Sequence, residues 1–219
     1  MSYIAIGDIH GCAKTLEALL ERLSPGPDDH IVFVGDYIDR GPDSKGVIDQ
    51  LLALRETHTC TFLRGNHEVF FLNSVLGNGA DSEVWHMNGG VQTLQSYAKD
   101  KQAQIPETHV EFIKNTKMYL DTPNYFFVHA GLQPHLTVAA NLEEPNEKVF
   151  LWDRSHLSAR YLAWEKPVIC GHTPQPDPIN HPQLISIDTG CCYHDYPGMG
   201  RLCAVRLPER EFVLMEYMG

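Results

Sequence analysis

Five stretches of the chain place side chains able to do chemistry at the end of an apolar run, usually beside glycine. They are "IAIGDIHG", "VFVGDYIDRG", "FLRGNHE", "FFVHAG" and "VICGHT". They supply Asp8 and His10; Asp36, Asp39 and Arg40; Arg64, Asn66 and His67; His129; and His172. Polar groups at the tips of buried strands carry a desolvation cost, so each needs a partner or a task. Residues i and i+2 of an extended segment point the same way, which lets Asp8 and His10 face one centre. Taken singly, each stretch is weak. A histidine in "VHAG" is more often a hydrogen-bonded core residue, and Asn66 can simply cap the helix that follows. Arginine partners could neutralise the aspartates, but they give no reason for imidazoles beside them at strand end after strand end. Carboxylate, imidazole and amide without thiolate suit Mn²⁺, Fe or Zn²⁺ better than a soft metal, and so much imidazole argues against a Ca²⁺ cage. The donors are too many for one tetrahedral ion. They suit two ions, bridged by one carboxylate and about 3.5–4 Å apart.

The elements that must position these residues are legible in the apolar pattern. Tyr3 to Gly7 reads as a strand, and Cys12 to Leu23 as a helix with Leu16, Leu19, Leu20 and Leu23 on one stripe. "HIVFVGD" is a second strand. Ser44 is placed to cap a helix burying Val47, Ile48, Leu51 and Leu52, and "CTFLRG" is a third strand. Strand–helix–strand–helix–strand predicts α/β architecture with parallel neighbours and right-handed crossovers. In such sheets ligands gather outside the carboxyl ends of the strands. The middle, about 77–120, reads as helical with no strand signal. Strands return at "YFFVHAG", "PVICGHT" and "LISIDTG", and the end reads as an antiparallel hairpin about Pro208 to Glu211. No repeat or linker divides 1–219, so a single domain is expected.

The 219 residues are 43% hydrophobic, ample for a core, with no run of about 18 apolar residues to span a membrane. Lys+Arg 17 against Asp+Glu 28 gives a formal net charge of −11. An acidic surface repels a polyphosphate backbone at long range, which excludes nucleic acid as the main partner. Any anionic substrate must then be held locally, by arginines or bound cations. The N-terminus lacks the charged and apolar regions of a signal peptide, and the six cysteines contain no CxxC pair, so a cytoplasmic protein with free thiols is expected.

In this order, GDIHG, GDYIDRG, RGNHE, HAG and GHT resemble the signature of the metal-dependent phosphoprotein phosphatases, in the calcineurin-like metallophosphoesterase superfamily, above all their compact bacterial and phage members. "WHMNGGVQTLQSY" is similar to the NGG-x-x-T segment of the bacterial enzymes. The resemblance implies a central β-sandwich of mixed sheets flanked by helices. It implies that Asp8, His10 and Asp36 hold one metal, and that Asp36 (bridging), Asn66, His129 and His172 hold the second. A water or hydroxide between the metals would attack phosphorus in line. His67, oriented by Asp39, would protonate the leaving oxygen. Arg40 and Arg64 would bind phosphate, with Arg154 of "LWDR" as a third such arginine, although an Asp153–Arg154 ion pair also accounts for that residue. Glu68 would support this shell. The implied activity is hydrolysis of phosphoserine or phosphothreonine, or of phosphotyrosine, in a phosphorylated protein or peptide. A symmetrical dinucleoside polyphosphate hydrolase is the alternative, with a non-catalytic binding module behind it. Glu68 and Asp39 favour the phosphatase, since the dinucleotide enzymes tend to GNHD and usually lack the second acid. "CCYHDYPGM" bears little likeness to the toxin-binding loop of the eukaryotic members, so toxin sensitivity is not carried over.

Overall fold

In the computed structural model, which describes residues 2–77, 82–99 and 102–219, the first strands alternate apolar residues between two buried faces. β1 (Ser2–Ile6) turns Ile4 and Ile6 toward helices and Ala5 toward a second sheet. A strand covered on both faces has no polar side, which is why these segments read as continuous apolar runs. After β1 come α1 (Ala13–Leu23), β2 (Asp29–Phe33), α2 (Ser44–Leu54), β3 (Thr59–Phe62) and α3 (Asn66–Leu76). β1, β2 and β3 are parallel neighbours in register, Ala5 beside Val32 and Val32 beside Thr61. The expected start of the fold is thus observed.

The next segment holds short helices α4 (Ser82–Trp85) and α5 (Val91–Ser96), joined by a wide turn at His86–Gly90, then α6 (Glu107–Lys114). It is not free of strand: β4 (Ala98–Lys99) and β5 (Gln102–Ala103) form a two-residue ladder. Residues 78–81 and 100–101 of the expected helical stretch lie outside the described residues. The second sheet uses β6 (Tyr119–Asp121), β7 (Phe126–Val128), β8 (Val168–Cys170), β9 (Ile179–His181) and β10 (Leu184–Ser186), with helices α7 (Val138–Glu143) and α8 (Glu147–Trp152) inserted after β7. β11 (Arg201–Leu207) and β12 (Glu211–Glu216) form the expected closing hairpin, and β11 pairs antiparallel with β1.

The strand orders are β12-β11-β1-β2-β3 and β6-β7-β8-β10-β9, both mixed. Their facing sides interlock through Ala5, Val32, Phe127, Ile169, Ile185 and Val205, while helices cover the outer faces. This is a β-sandwich flanked by helices, as the resemblance implied. Among the described residues no helix is long and apolar enough to cross a membrane.

Candidate active site

The carboxyl ends of β1, β2, β3, β7 and β8 converge, so the five stretches meet at one end of the sandwich. Of the seven described non-glycine residues with positive φ, five stand here: His10, Asp36, Asp39, Arg40 and His172. Left-handed backbone at such residues costs energy, and it persists where surrounding structure holds it for a purpose. Gly171 has no room for a side chain, because a Cβ would overlap the Asp8 carboxylate.

His10 Nδ1 donates to the Ile38 carbonyl at 2.9 Å and His129 Nδ1 to the Val34 carbonyl at 3.0 Å. A carbonyl only accepts, so both rings carry the proton on Nδ1 and present a lone pair at Nε2. Each Nε2 lies 3.5 Å from Asp36 Oδ2, which therefore stands between the two imidazoles. His129 Nε2 also faces Asn66 Oδ1 at 3.0 Å and His172 Nδ1 at 3.2 Å. His172 Nε2 is buried with no hydrogen-bond partner. Two groups of donor atoms lie within 4.8 Å of one another, His10–Asp36–His67 and Asp36–His129–His172, sharing Asp36.

Burial acts on the imidazoles and the carboxylate in opposite directions, and neighbouring charges act with it or against it. Burial lowers His10 and His129 below the usual histidine range, and burial with the neighbouring His129 takes His172 down to about 3. Burial alone would raise Asp36, but the surrounding imidazoles, His129 foremost, hold it well below the usual carboxylate range. The His129 Nε2 lone pair faces the Asn66 carbonyl oxygen beside the Asp36 carboxylate, a meeting of acceptors that a cation reconciles, while His10 Nε2 accepts from Arg40 Nη1 at 2.7 Å. The donor set fits divalent metal.

Asp8 behaves differently. Both its oxygens accept from the His172 N–H, at 3.1 and 3.0 Å, and it stands outside the two groups. Burial and the charges of Asp188 and Asp36 raise it well above the usual range. Asp188 was not among the expected residues; burial pushes it up to about 7, and its carboxylate accepts from Gly190 N–H at 2.9 Å. A signal for it was present, because "ISIDTG" is again a strand leading into an acid, here two residues before a glycine.

His67 is buried, with Nδ1 2.7 Å from Asp39 Oδ2 and no hydrogen-bond partner at Nε2. Burial alone would lower its pKa, but Asp36 and Asp39 outweigh burial and raise it. Asp39 is held in turn by Trp85 Nε1, 3.0 Å from both oxygens, and by Thr93 Oγ1 at 2.6 Å. The α4–α5 segment thus positions the imidazole. Gly89 (φ 106) lets it approach, since a Cβ there would meet the Arg40 amide nitrogen at 2.6 Å. Glu68 accepts from the backbone N–H groups of Asp36, Tyr37 and Gly65 at 2.8–2.9 Å, fixing two strand ends together. Ser44 is not the cap of α2. Asp43 takes that place, and Ser44 Oγ instead accepts from the Asp39 N–H.

The arginines divide. Arg40 and Arg154 line a cleft of about 370 Å³ with Asp36, Asn66, His67 and His172. Asp153 is taken up by Ser155 and His156, not by Arg154. Arg64 is turned away: its guanidinium donates to Thr116 Oγ1 and to the carbonyls of Lys114 and Thr116. Leu63 bridges to Lys117 beside this edge strand, which puts those carbonyls within its reach.

A sequence model of the calcineurin-like phosphoesterase family matches residues 1–206. The chain belongs to that family. Membership implies a pair of divalent metal ions, in keeping with the shared Asp36. A protein of Oceanobacillus iheyensis named bis(5'-nucleosyl)-tetraphosphatase PrpE [asymmetrical] is 32% identical over 95% of this chain and 89% of its own. The protein of the same name from Bacillus subtilis is 28% identical over 97% and 93%. A crystal structure assigned to a diadenosine tetraphosphatase superposes with a TM-score of 0.73 at 23% identity, covering 100% of this chain and 94% of that one, and supports the fold alone. These names correct two expectations. The relatives are named for dinucleoside tetraphosphates, so the phosphoprotein substrate and the protein-phosphatase activity are set aside. The names also say asymmetrical where symmetrical cleavage was the alternative. Glu68 and Asp39 misled because both build the shell, by bracing backbone and orienting His67. Both are fully buried, so neither has a surface on which to read what lies beyond a phosphate.

Proposed function

We propose that the chain is a metal-dependent hydrolase of dinucleoside polyphosphates that cleaves a phosphoanhydride bond asymmetrically. The observation that carries the reading is the near full-length similarity to relatives of that name, joined to a cleft lined by two arginines and the shared carboxylate. His10 and Asp36, with Asp8 beside them, would hold one ion; Asp36, Asn66, His129 and His172 would hold the other, most suitably as Mn²⁺. When bound, the pair supplies Lewis-acid polarisation of the phosphoryl group and activates the attacking water.

The chain's own side chains do the rest. Arg40 and Arg154 orient and partly neutralise the polyphosphate, which the acidic chain would otherwise repel. Asp39 keeps the His67 proton on Nδ1 when the ring is neutral and stabilises its cation, so Nε2 can deliver a proton to the departing phosphate oxygen. The test is product analysis on P1,P4-bis(5'-adenosyl) tetraphosphate with Mn²⁺-loaded protein. ATP and AMP in equal amounts are expected. Two molecules of ADP would overturn the asymmetry, and no anhydride cleavage in protein that turns over an aryl phosphate would overturn the substrate class.

A further inference from the structure

A second cavity, of about 450 Å³, opens beside the catalytic cleft and shares Arg40, Asn88 and Tyr193 with it. A group tethered to a phosphate on Arg40 has this cavity as its adjoining space. The volume falls in the range of about 300–1,000 Å³ common for small-molecule sites. In a chain of net charge −11, no aspartate or glutamate lines it among the described residues. Its walls are flat, soft or amide-bearing instead. The Tyr193 ring lies 5.5 Å from the Arg40 guanidinium, and Met87 stands 79% exposed at the rim, doing nothing for the core. Gln92 and Asn88 offer amides; Asn88 donates to the Val84 carbonyl, which leaves its own carbonyl to accept.

We propose that this cavity is a nucleoside subsite, in which Tyr193 and Met87 hold a nucleobase by its faces and Gln92 and Asn88 meet its edges. A purine offers a large polarisable face and mixed donors and acceptors, and this wall matches both. The inference rests on the dinucleotide reading, and it makes Tyr193 and Gln92 specificity-determining residues for that substrate. It also gives a use to "CCYHDYPGM", the loop that departs from the eukaryotic pattern.

The experiment measures inhibition of aryl phosphate hydrolysis by AMP and by inorganic phosphate, in Mn²⁺-loaded wild type, Tyr193→Ala, Tyr193→Phe and Gln92→Ala. Stacking on one aromatic side chain predicts that AMP inhibits about tenfold or more better than phosphate in the wild type. Tyr193→Ala should erase most of that ratio and Tyr193→Phe should keep it. If Tyr193 only positions Arg40, Tyr193→Ala will weaken both inhibitors equally, and the subsite is overturned. It is also overturned if wild-type protein prefers AMP no better than phosphate. Cleavage of the dinucleotide is followed in parallel. A Tyr193-dependent AMP preference without dinucleotide cleavage would sink the substrate reading and leave the subsite standing. Cleavage without that preference would do the reverse.

Discussion

His67 reaches the cleft through one ring nitrogen, because Asp39 holds the other at 2.7 Å. A positioned general acid is worth roughly 10²–10⁴-fold, and most when the leaving group is a poor one. His67→Asn should therefore slow an alkyl phosphate far more than an activated aryl phosphate, with metal content unchanged. Equal losses, or loss of metal, would make His67 a ligand, as its nearness to His10 and Asp36 also permits. The arginines allow a sharper contrast. Arg40→Ala and Arg154→Ala should each raise KM for a dinucleoside tetraphosphate by about tenfold or more, since each removes one planar guanidinium fork from the polyphosphate. Arg64→Ala should act on stability more than on kinetics: losing bonds worth about 0.5–1.5 kcal/mol each lowers Tm by a few degrees. A KM effect of the Arg40 size in Arg64→Ala would show that Arg64 swings into the cleft during turnover.

At the scale of elements, the site depends on the segment that the resemblance through NGG-x-x-T singled out, although the apolar pattern alone gives it no role. Trp85 and Thr93, on α4 and α5, both donate to Asp39. Trp85→Phe removes a donor from a buried carboxylate, a loss of about 1.5–3 kcal/mol for a hydrogen bond to a charged group. The variant should melt several degrees lower and lose kcat, while keeping its metals; an unchanged kcat would mean that Thr93 alone orients Asp39. The sandwich strands and the five strand ends that carry candidate donors were legible because their signal is local: an apolar run, then an acid or imidazole, usually beside glycine. The short strands β6 and β9 carry too few residues for any period to show. What Trp85 does depends on a contact 46 residues away, and the direction of Arg64 on the β3 edge and its neighbour Lys117. Neither is a property of the local sequence. The substrate was illegible for a chemical reason, since the motifs specify metal and phosphoryl groups that many phosphoesters share.

At the scale of the molecule, the candidate metal donors come from both sheets. His10, Asp36 and Asn66 follow strands of the first, and His129 and His172 follow strands of the second. Ions shared between them would tie the two halves of the sandwich, so metal affinity and global stability should be linked. Without cations, Asp8, Asp36 and Asp188 crowd one buried region, and their mutual repulsion helps push Asp8 and Asp188 upward. A ligand that binds only the folded chain stabilises it by about 2.7 kcal/mol at a hundred times its Kd. For a chain of this size that corresponds to a rise in Tm of roughly 5–11 °C. Melting curves of metal-stripped protein with and without saturating Mn²⁺ should show that rise. Asp36→Asn touches both donor groups at once, so it should lose most of the Mn²⁺ response, whereas His172→Asn should keep a substantial part through the group around His10. An Asp36→Asn variant that responds like wild type would show that Asp36 is not the shared ligand. A wild type that does not respond at all would mean that these lone pairs serve something other than metal.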